Sequence, residues 1–200
     1  MPRTKSGKRE ILVTAAMQHF WQHGYEATSI DDLVRATGVC RQGIYSDAGG
    51  KDVLFAKCLR AYVDAVVTPA FARVEGAHAT LDTVAEFFEM QIARGEAAGL
   101  PGAGCLLANT MTEVAPRSPA IMRIVIDHNT RLRRGFARAI ANTAKSAGHT
   151  LSRTDRDELS LTLIAFTNGL WAMSRTSGDA TVLRRAVRQM LQLIQIRSTA

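Results

Sequence analysis

Hydrophobic positions recur at helical spacing along almost the whole chain, and no segment alternates for long enough to predict a strand. In the first segment Leu12, Ala16 and Phe20 follow one another at four-residue intervals, and Gly24 ends the run. Further helices are predicted over residues 80–98, 104–115, 118–147, 154–176 and 179–196, separated by short breaks. The pattern therefore predicts an all-α protein of about nine helices.

Residues 29–48 predict two short helices joined by a tight turn. Ser29 can cap the first helix, and Asp32, three residues on, completes a variant of the capping box. Gly38 stands where that helix must end in a left-handed conformation, and Val39 can pack beneath the turn. This arrangement is typical of a helix-turn-helix. The core expected for it consists of Leu12, Ala16, Phe20, Ile30, Leu33, Val39 and Ile44.

The second short helix places Arg41, Gln42, Tyr45 and Ser46 on one face. Arginine and glutamine are the side chains that bind guanine and adenine edges in the major groove of DNA. The alternative for these positions is an ordinary solvated helix face. Their place inside a helix-turn-helix pattern favours DNA contact.

Three stretches, ILVTAAMQHFWQHGYEATSIDDLVRATGV, RQGIY and GGKDVLF, resemble the DNA-binding domain of the tetracycline-repressor (TetR) family of bacterial transcriptional regulators. The resemblance implies a helical homodimer that binds a double-stranded DNA operator as a repressor. It implies a basic arm and helix-turn-helix domain over residues 1–50 and a regulatory and dimerisation domain over residues 51–200. The second domain would be entered through a connecting helix over residues 51–67, which Pro69 is expected to end.

The resemblance also assigns DNA contacts within the motif. Thr28 and Ser29 lie at a helix N-terminus that suits a phosphate, although both could serve only as caps. Lys51 opens the next helix and is expected to meet the DNA backbone. The complete predicted set is Thr28, Ser29, Cys40, Arg41, Gln42, Gly43, Tyr45, Ser46 and Lys51.

Some positions depart from the family pattern or extend beyond it. Cys40 replaces the usual small hydroxyl residue, and Asp47 and Ala48 replace residues that are commonly polar or aromatic, which leaves their effect on DNA affinity open. The N-terminal arm could lie in the minor groove or form a solvated tail. Its basic residues are Arg3, Lys5, Lys8 and Arg9.

Composition narrows the class of protein only a little. The net charge of +7 is compatible with a polyanionic partner, but it is not concentrated in the motif. No apolar run is long enough to span a bilayer, and no secretory signal precedes the first helix. Three widely spaced cysteines form no metal-ligand pattern and indicate reduced thiols. We therefore expect a cytoplasmic protein without cofactor or metal.

The last two predicted helices carry wide apolar stripes. Burial inside one chain would explain them, but the family resemblance implies a four-helix interface between two chains. The residues expected at that interface are Phe166, Leu170, Trp171, Leu183, Val187, Met190, Leu191 and Ile194.

The middle helices suggest a ligand pocket suited to a small apolar or aromatic effector, although a simple core has the same composition. Its candidate residues are Phe87, Phe88, Met90, Cys105, Met111, Met122, His128 and Asn129.

Two alternatives to an effector-controlled repressor follow from the same residues. Cys105 comes after a glycine-rich stretch at a predicted helix N-terminus, where the pKa of a thiol tends to fall, so a sensor of oxidants or electrophiles is one alternative. A packed, inert cysteine is the other interpretation of that residue. A DNA-binding protein without an effector is the second alternative. No spacing supports Glu113 and His128 as an acid–base pair, so no enzyme is expected.

Overall fold

The computed structural model describes the backbone of residues 5–199 and the side chains of residues 10–199 except that of Asp47. Within that range the chain forms nine helices and no strand, which confirms the all-α prediction. The helices are α1 (Lys5–His23), α2 (Ile30–Thr37), α3 (Arg41–Gly43), α4 (Lys51–Tyr62), α5 (Leu81–Ala98), α6 (Leu106–Glu113), α7 (Pro119–Ser146), α8 (Arg153–Met173) and α9 (Ala180–Thr199).

Two of these helices continue through wider turns. Helix α3 passes directly into a π-helical turn, Ile44–Ala48, while α4 passes through another, Val63–Val67, and resumes as Thr68–Phe71. The prediction that Pro69 ends this helix is wrong. Pro69 lies in the first turn of the resumed segment, where its missing N–H costs little, so the helix runs on to Phe71.

The chain divides into two compact units. The first unit contains the chain up to Val67 together with Cys105–Ile126, and the second contains Thr68–Gly104 and the chain from Asp127 onward. Helix α6 and the first turns of α7 therefore belong with the helix-turn-helix. The division into domains at residue 50 remains a prediction.

The first unit is built on the core that the sequence predicts. Leu12, Ala16, Phe20, Leu33 and Ile44 are all buried, whereas Ile30 and Val39 are half-buried. The Phe20 ring meets the Phe55 ring of α4 edge-on, with 4.9 Å between ring centroids. Contacts of this kind pack α1 against α4, and α2 packs in turn against α1.

Four phenylalanines form the centre of the second unit. The centroid of the Phe71 ring lies 5.3 Å from those of Phe87 and Phe136, and both contacts are edge-on. The ring centroids of Phe87 and Phe88 are 5.2 Å apart. A side chain at Gly135 would approach the Phe71 ring to 2.7 Å, so the glycine lets α7 lie close to that ring. None of the helices in the described part of the chain is sufficiently long and apolar to cross a membrane.

Candidate DNA-binding site

Helix α2 begins with the capping box that the sequence predicts. The Ser29 N–H donates to Asp32 Oδ2 at 2.7 Å, and the Asp32 N–H donates to Ser29 Oγ at 3.1 Å. Hydrogen bonds from the Ser29 hydroxyl and backbone, with a further contribution from Arg35, lower the pKa of Asp32 to about 2. The carboxylate therefore caps α2 in its charged form at neutral pH.

The turn between α2 and α3 depends on two glycines. Gly38 has the left-handed φ of 67°, and its N–H donates to the Val34 carbonyl at 2.9 Å. At Gly43, an added Cβ would stand 2.7 Å from Val39 Cγ1. Helix α3 therefore lies directly on the Val39 side chain, and only glycine at position 43 allows this approach.

The outer face of α3 carries the residues predicted to contact DNA. Arg41, Gln42, Tyr45 and Ser46 are all exposed, while Ile44 on the opposite side is buried. An exposed row of guanidinium, amide, phenol and hydroxyl groups offers donors and acceptors to base edges and phosphates. The structure thus places four of the predicted residues on one accessible surface.

Cys40 and Ala48 flank this face at its two ends. Cys40 is the exposed N-cap of α3, and its thiol makes no capping hydrogen bond, so the usual hydroxyl cap is lost there. Ala48 is only 2% exposed, and its carbonyl accepts a hydrogen bond from Lys57 Nζ at 3.0 Å. The side chain of Asp47 lies outside the described residues.

The side chain of Thr28 has a structural role, and a phosphate contact through the backbone amides at this helix N-terminus stays a prediction. The Thr28 side chain is fully buried, and its hydroxyl donates to the Gly24 carbonyl at 2.6 Å. The hydroxyl therefore closes the loop between α1 and α2 and faces no outside ligand. Ser29 is exposed, but its hydroxyl is already engaged with Asp32.

Lys51 is held against an aromatic ring at the start of α4. Its Nζ stands 4.1 Å from the centroid of the Tyr25 ring, within the range of a cation–π contact. The Tyr25 hydroxyl in turn donates to Asp52, and burial followed by this hydrogen bond raises the pKa of Tyr25 above its ordinary value. A cation is unfavourable at a helix N-terminus, and the Tyr25 ring offsets this cost for Lys51. The sequence pattern did not reveal this contact.

The basic arm was also predicted to reach DNA. Arg3 lies outside the described residues, and so do the side chains of Lys5, Lys8 and Arg9.

Two acidic residues of the first unit make contacts that the sequence did not reveal. Asp31 forms an ion pair with Arg41, with 2.6 Å between Oδ1 and Nη2. Glu113, at the end of α6, accepts the Glu26 N–H at 2.8 Å, and Arg117 pairs with the Glu26 carboxylate at 2.9 Å. A carboxylate 87 residues distant leaves no periodic signal, so only the fold brings these groups together.

The residues predicted for a dimer interface divide into two groups. Five of the eight are buried by their own chain, which leaves them no surface for a partner: Leu170, Leu183, Val187, Leu191 and Ile194. The others, Phe166, Trp171 and Met190, are half-buried. The large apolar side chains that α8 and α9 leave exposed are different ones, namely Leu161, Met173, Val182, Leu193 and Ile196.

The predicted ligand residues do not share one environment. Phe87, Phe88 and His128 are buried in the second unit, where Asn129 is half-buried and Met90 is exposed. In the first unit, Cys105 and Met111 are half-buried and Met122 is exposed. The phenylalanines pack against one another, as a hydrophobic core would.

The surroundings of Cys105 favour the packed cysteine over the thiol sensor. Cys105 precedes α6, but burial raises the pKa of its thiol above the ordinary value, although the amides of α6 and the Tyr62 hydroxyl act in the opposite direction. The expectation of a lowered pKa was wrong because desolvation outweighs the helix N-terminus. This direction of the pKa shift favours the interpretation of Cys105 as a packed cysteine.

Comparison with known proteins shows the family to which the chain is similar. Residues 12–58 match the family model described as bacterial regulatory proteins, tetR family, and residues 80–190 match the model for a tetracyclin repressor-like C-terminal domain. Over 116 residues the chain is 33% identical to the HTH-type transcriptional repressor ComR of Escherichia coli strain K12, a match covering 58% of this chain and 55% of that protein. The match thus spans about half the length of that relative.

Other similarities extend over nearly the whole chain. The HTH-type transcriptional regulator YezE of Bacillus subtilis strain 168 is 26% identical over 178 residues, which cover 82% of this chain and 89% of YezE. A TetR transcriptional regulator of Chloroflexus aurantiacus is 26% identical, with a TM-score of 0.78 and 94% of each chain covered. The fold also matches the regulator CifR, solved as a cysteine mutant with 26-bp operator DNA, at a TM-score of 0.75 and 24% identity over 96% of this chain and 98% of CifR.

Proposed function

The chain belongs to the tetracycline-repressor (TetR) family of bacterial transcriptional regulators, and from this premise we propose that it is a sequence-specific, homodimeric repressor. The observation that carries the proposal is the exposed face of α3, with Arg41, Gln42, Tyr45 and Ser46 above a buried Ile44. On B-form DNA this face would enter the major groove, where Arg41 and Gln42 would bind base edges. Tyr45, Ser46 and Lys51 would then position the helix through phosphates.

Dimerisation follows in this proposal from the exposed sides of α8 and α9. Val182, Leu193 and Ile196 lie on the exposed side of α9, and Leu161 and Met173 lie on that of α8. Apart from the neighbouring backbone of α8, no atom of the described residues lies within 4 Å of a Cβ added at Gly169, so a second helix could approach closely there. Two copies related by a two-fold axis would present two α3 helices to half-sites about one helical turn apart, or a multiple of it.

Release from the operator by a small apolar or aromatic effector completes the proposal. An effector bound among the middle helices would tilt α4, change the separation of the two α3 helices and weaken DNA binding. By thermodynamic linkage, operator DNA must weaken effector binding by the same factor.

An effector-free DNA-binding protein is the second candidate, and the mutual packing of Phe71, Phe87, Phe88 and Phe136 favours it. Thermal unfolding in the presence of aromatic and apolar compounds separates the two candidates. A specific effector raises the midpoint by mass action, whereas a protein without an effector site gives no concentration-dependent shift.

The direct test is selection of DNA by the purified protein. A random-sequence duplex library is incubated with the protein near physiological salt, and the retained sequences are determined. We expect a pseudo-palindromic sequence that binds at least a thousandfold more tightly than shuffled DNA, as specific DNA-binding proteins do. Arg41→Ala should reduce this preference, whereas Arg156→Ala in the second unit should leave it unchanged. Retention without sequence preference would contradict the proposal.

A further inference from the structure

Arg41, the first residue of the exposed face of α3, forms an ion pair within its own chain. Its Nη2 lies 2.6 Å from Oδ1 of Asp31, across the turn that joins α2 to α3. The two side chains are 60% and 61% exposed. An ion pair so exposed contributes little to folding stability. The main effect of the ion pair is therefore on the orientation of the Arg41 side chain.

Two adjacent acidic residues begin α2, and they have different tasks. Asp32 closes the capping box with Ser29 and pairs with Arg35. Asp31 takes no part in those bonds and extends instead to Arg41. Capping and the helix dipole therefore explain the contacts of Asp32. They do not explain why the Asp31 side chain points toward Arg41.

The geometry of a guanidinium gives this contact its meaning. Arginine carries five N–H donors in a rigid planar fork, and recognition of guanine uses two of them at once, toward O6 and N7. A phosphate, by contrast, accepts any of these donors at any sequence. A carboxylate bound to one side of the guanidinium limits how the guanidinium can rotate. The negative charge of that carboxylate also opposes the approach of a phosphate to the same side.

We propose that Asp31 is a specificity-determining residue, which acts by holding Arg41 so that its free donors meet a guanine edge in place of a phosphate. Asp31 itself touches no base in this proposal; it is a positioning residue for Arg41. The inference rests on the proposed function, since it requires that α3 enters the major groove.

The test compares Asp31→Asn with a matched control. Asp64→Asn removes the same charge from an exposed position in the first unit. The probes are the duplex selected by the wild-type protein and a shuffled duplex of the same composition. The quantity measured is the ratio of the two dissociation constants, at several salt concentrations.

We expect Asp31→Asn to lower this ratio roughly two- to fivefold, the range set by an exposed ion pair. Most of the change should come from tighter binding to shuffled DNA, with a salt slope steeper by about one, since the released arginine gains a phosphate contact. Asp64→Asn should leave the ratio unchanged. In an Arg41→Ala background, Asp31→Asn should also have no effect on the ratio.

Three outcomes would overturn the inference. The ratio could stay constant in Asp31→Asn, it could fall equally in Asp64→Asn, or the effect could persist without Arg41. Each of them leaves the proposed function standing as long as the wild-type protein discriminates between the two duplexes. A wild-type protein that fails to discriminate contradicts the proposed function itself, and the inference with it. Circular dichroism of each variant shows that α2 remains folded.

Discussion

At the scale of single residues, His128 makes stability depend on pH. Burial, with a smaller effect of Arg131, lowers the pKa of this histidine to about 4. The charged imidazolium is therefore disfavoured in the folded protein but not in the unfolded chain. The unfolded chain therefore takes up a proton below the ordinary pKa of about 6.5 while the folded protein does not, so stability falls as the pH drops from about 6.5 toward 4.

We expect the free energy of unfolding to fall by about 2 kcal/mol between pH 7 and pH 5 through this residue alone. The measurement is urea unfolding at both pH values, for the wild-type protein and for His128→Leu. The variant should lose less stability on acidification than the wild type does. Equal pH dependence in the two proteins would show that His128 is not held neutral by the fold.

Gly43 provides a second prediction at this scale, because α3 touches Val39 there. Gly43→Ala should destabilise the protein by roughly 1–3 kcal/mol, a typical cost of overpacking, since the new Cβ meets Val39 Cγ1 at 2.7 Å. The cost should be smaller when the same change is made in a Val39→Ala protein. Thermal unfolding of the four proteins measures this coupling, and additive effects would mean that the two residues do not clash.

At the scale of elements, helix α6 is joined to the loop between α1 and α2. The Glu113 carboxylate accepts the Glu26 N–H at 2.8 Å, and an added Cβ at Gly24 would stand 3.0 Å from Glu113 Oε1. The Glu113 side chain therefore accepts a hydrogen bond from the loop that directly precedes α2.

Glu113→Ala should leave the Glu26 N–H without this acceptor and cost about 0.5–1.5 kcal/mol of stability. Glu113→Gln should cost less, because its amide oxygen can still accept. Hydrogen exchange of the loop amides measures the local effect, with amides of α9 as an internal reference. If Glu113→Ala leaves exchange in residues 24–28 unchanged, the contact does not stabilise the loop.

Local sequence rules predict some features of these elements but not others. Ser29, Asp32 and Gly38 are read from local rules, and the structure confirms the cap and the left-handed turn that they predict. Pro69 was misjudged because the π-helical turn before it shifts the register of the helix, an adjustment with no local signature. The sequence left Cys105 open between a thiol sensor and a packed cysteine, because it shows the helix N-terminus but not the burial that favours the packed interpretation. Contacts such as Asp31–Arg41 and Glu113–Glu26 depend on the fold, so periodicity alone could not find them.

At the scale of the whole molecule, the apolar stripe of α9 has two sides with different tasks. One side, including Leu183 and Leu191, is buried by the chain itself, while Leu193 and Ile196 are exposed on the other. A hydrophobic pattern cannot show whether the same chain or a second copy covers a given position. For this reason most of the residues predicted for the interface from their apolar pattern are ones that the chain already buries.

Leu193→Lys combined with Ile196→Lys should convert the proposed dimer to a monomer, because each copy would bury two charges at the interface. Light scattering after gel filtration measures the mass. Met90→Lys, on the exposed part of α5, is the matched control and should remain dimeric. A double variant of unchanged dimeric mass would place the interface elsewhere.

The most direct test of the account is the spacing of the two half-sites in the selected operator. Inserting about five base pairs between them rotates one half-site by about half a helical turn, so two α3 helices fixed in one dimer could no longer meet both. We predict that affinity for this duplex falls to that of a single half-site. Binding equal to that of the uninterrupted operator would contradict the claim that paired α3 helices bind one face of the DNA.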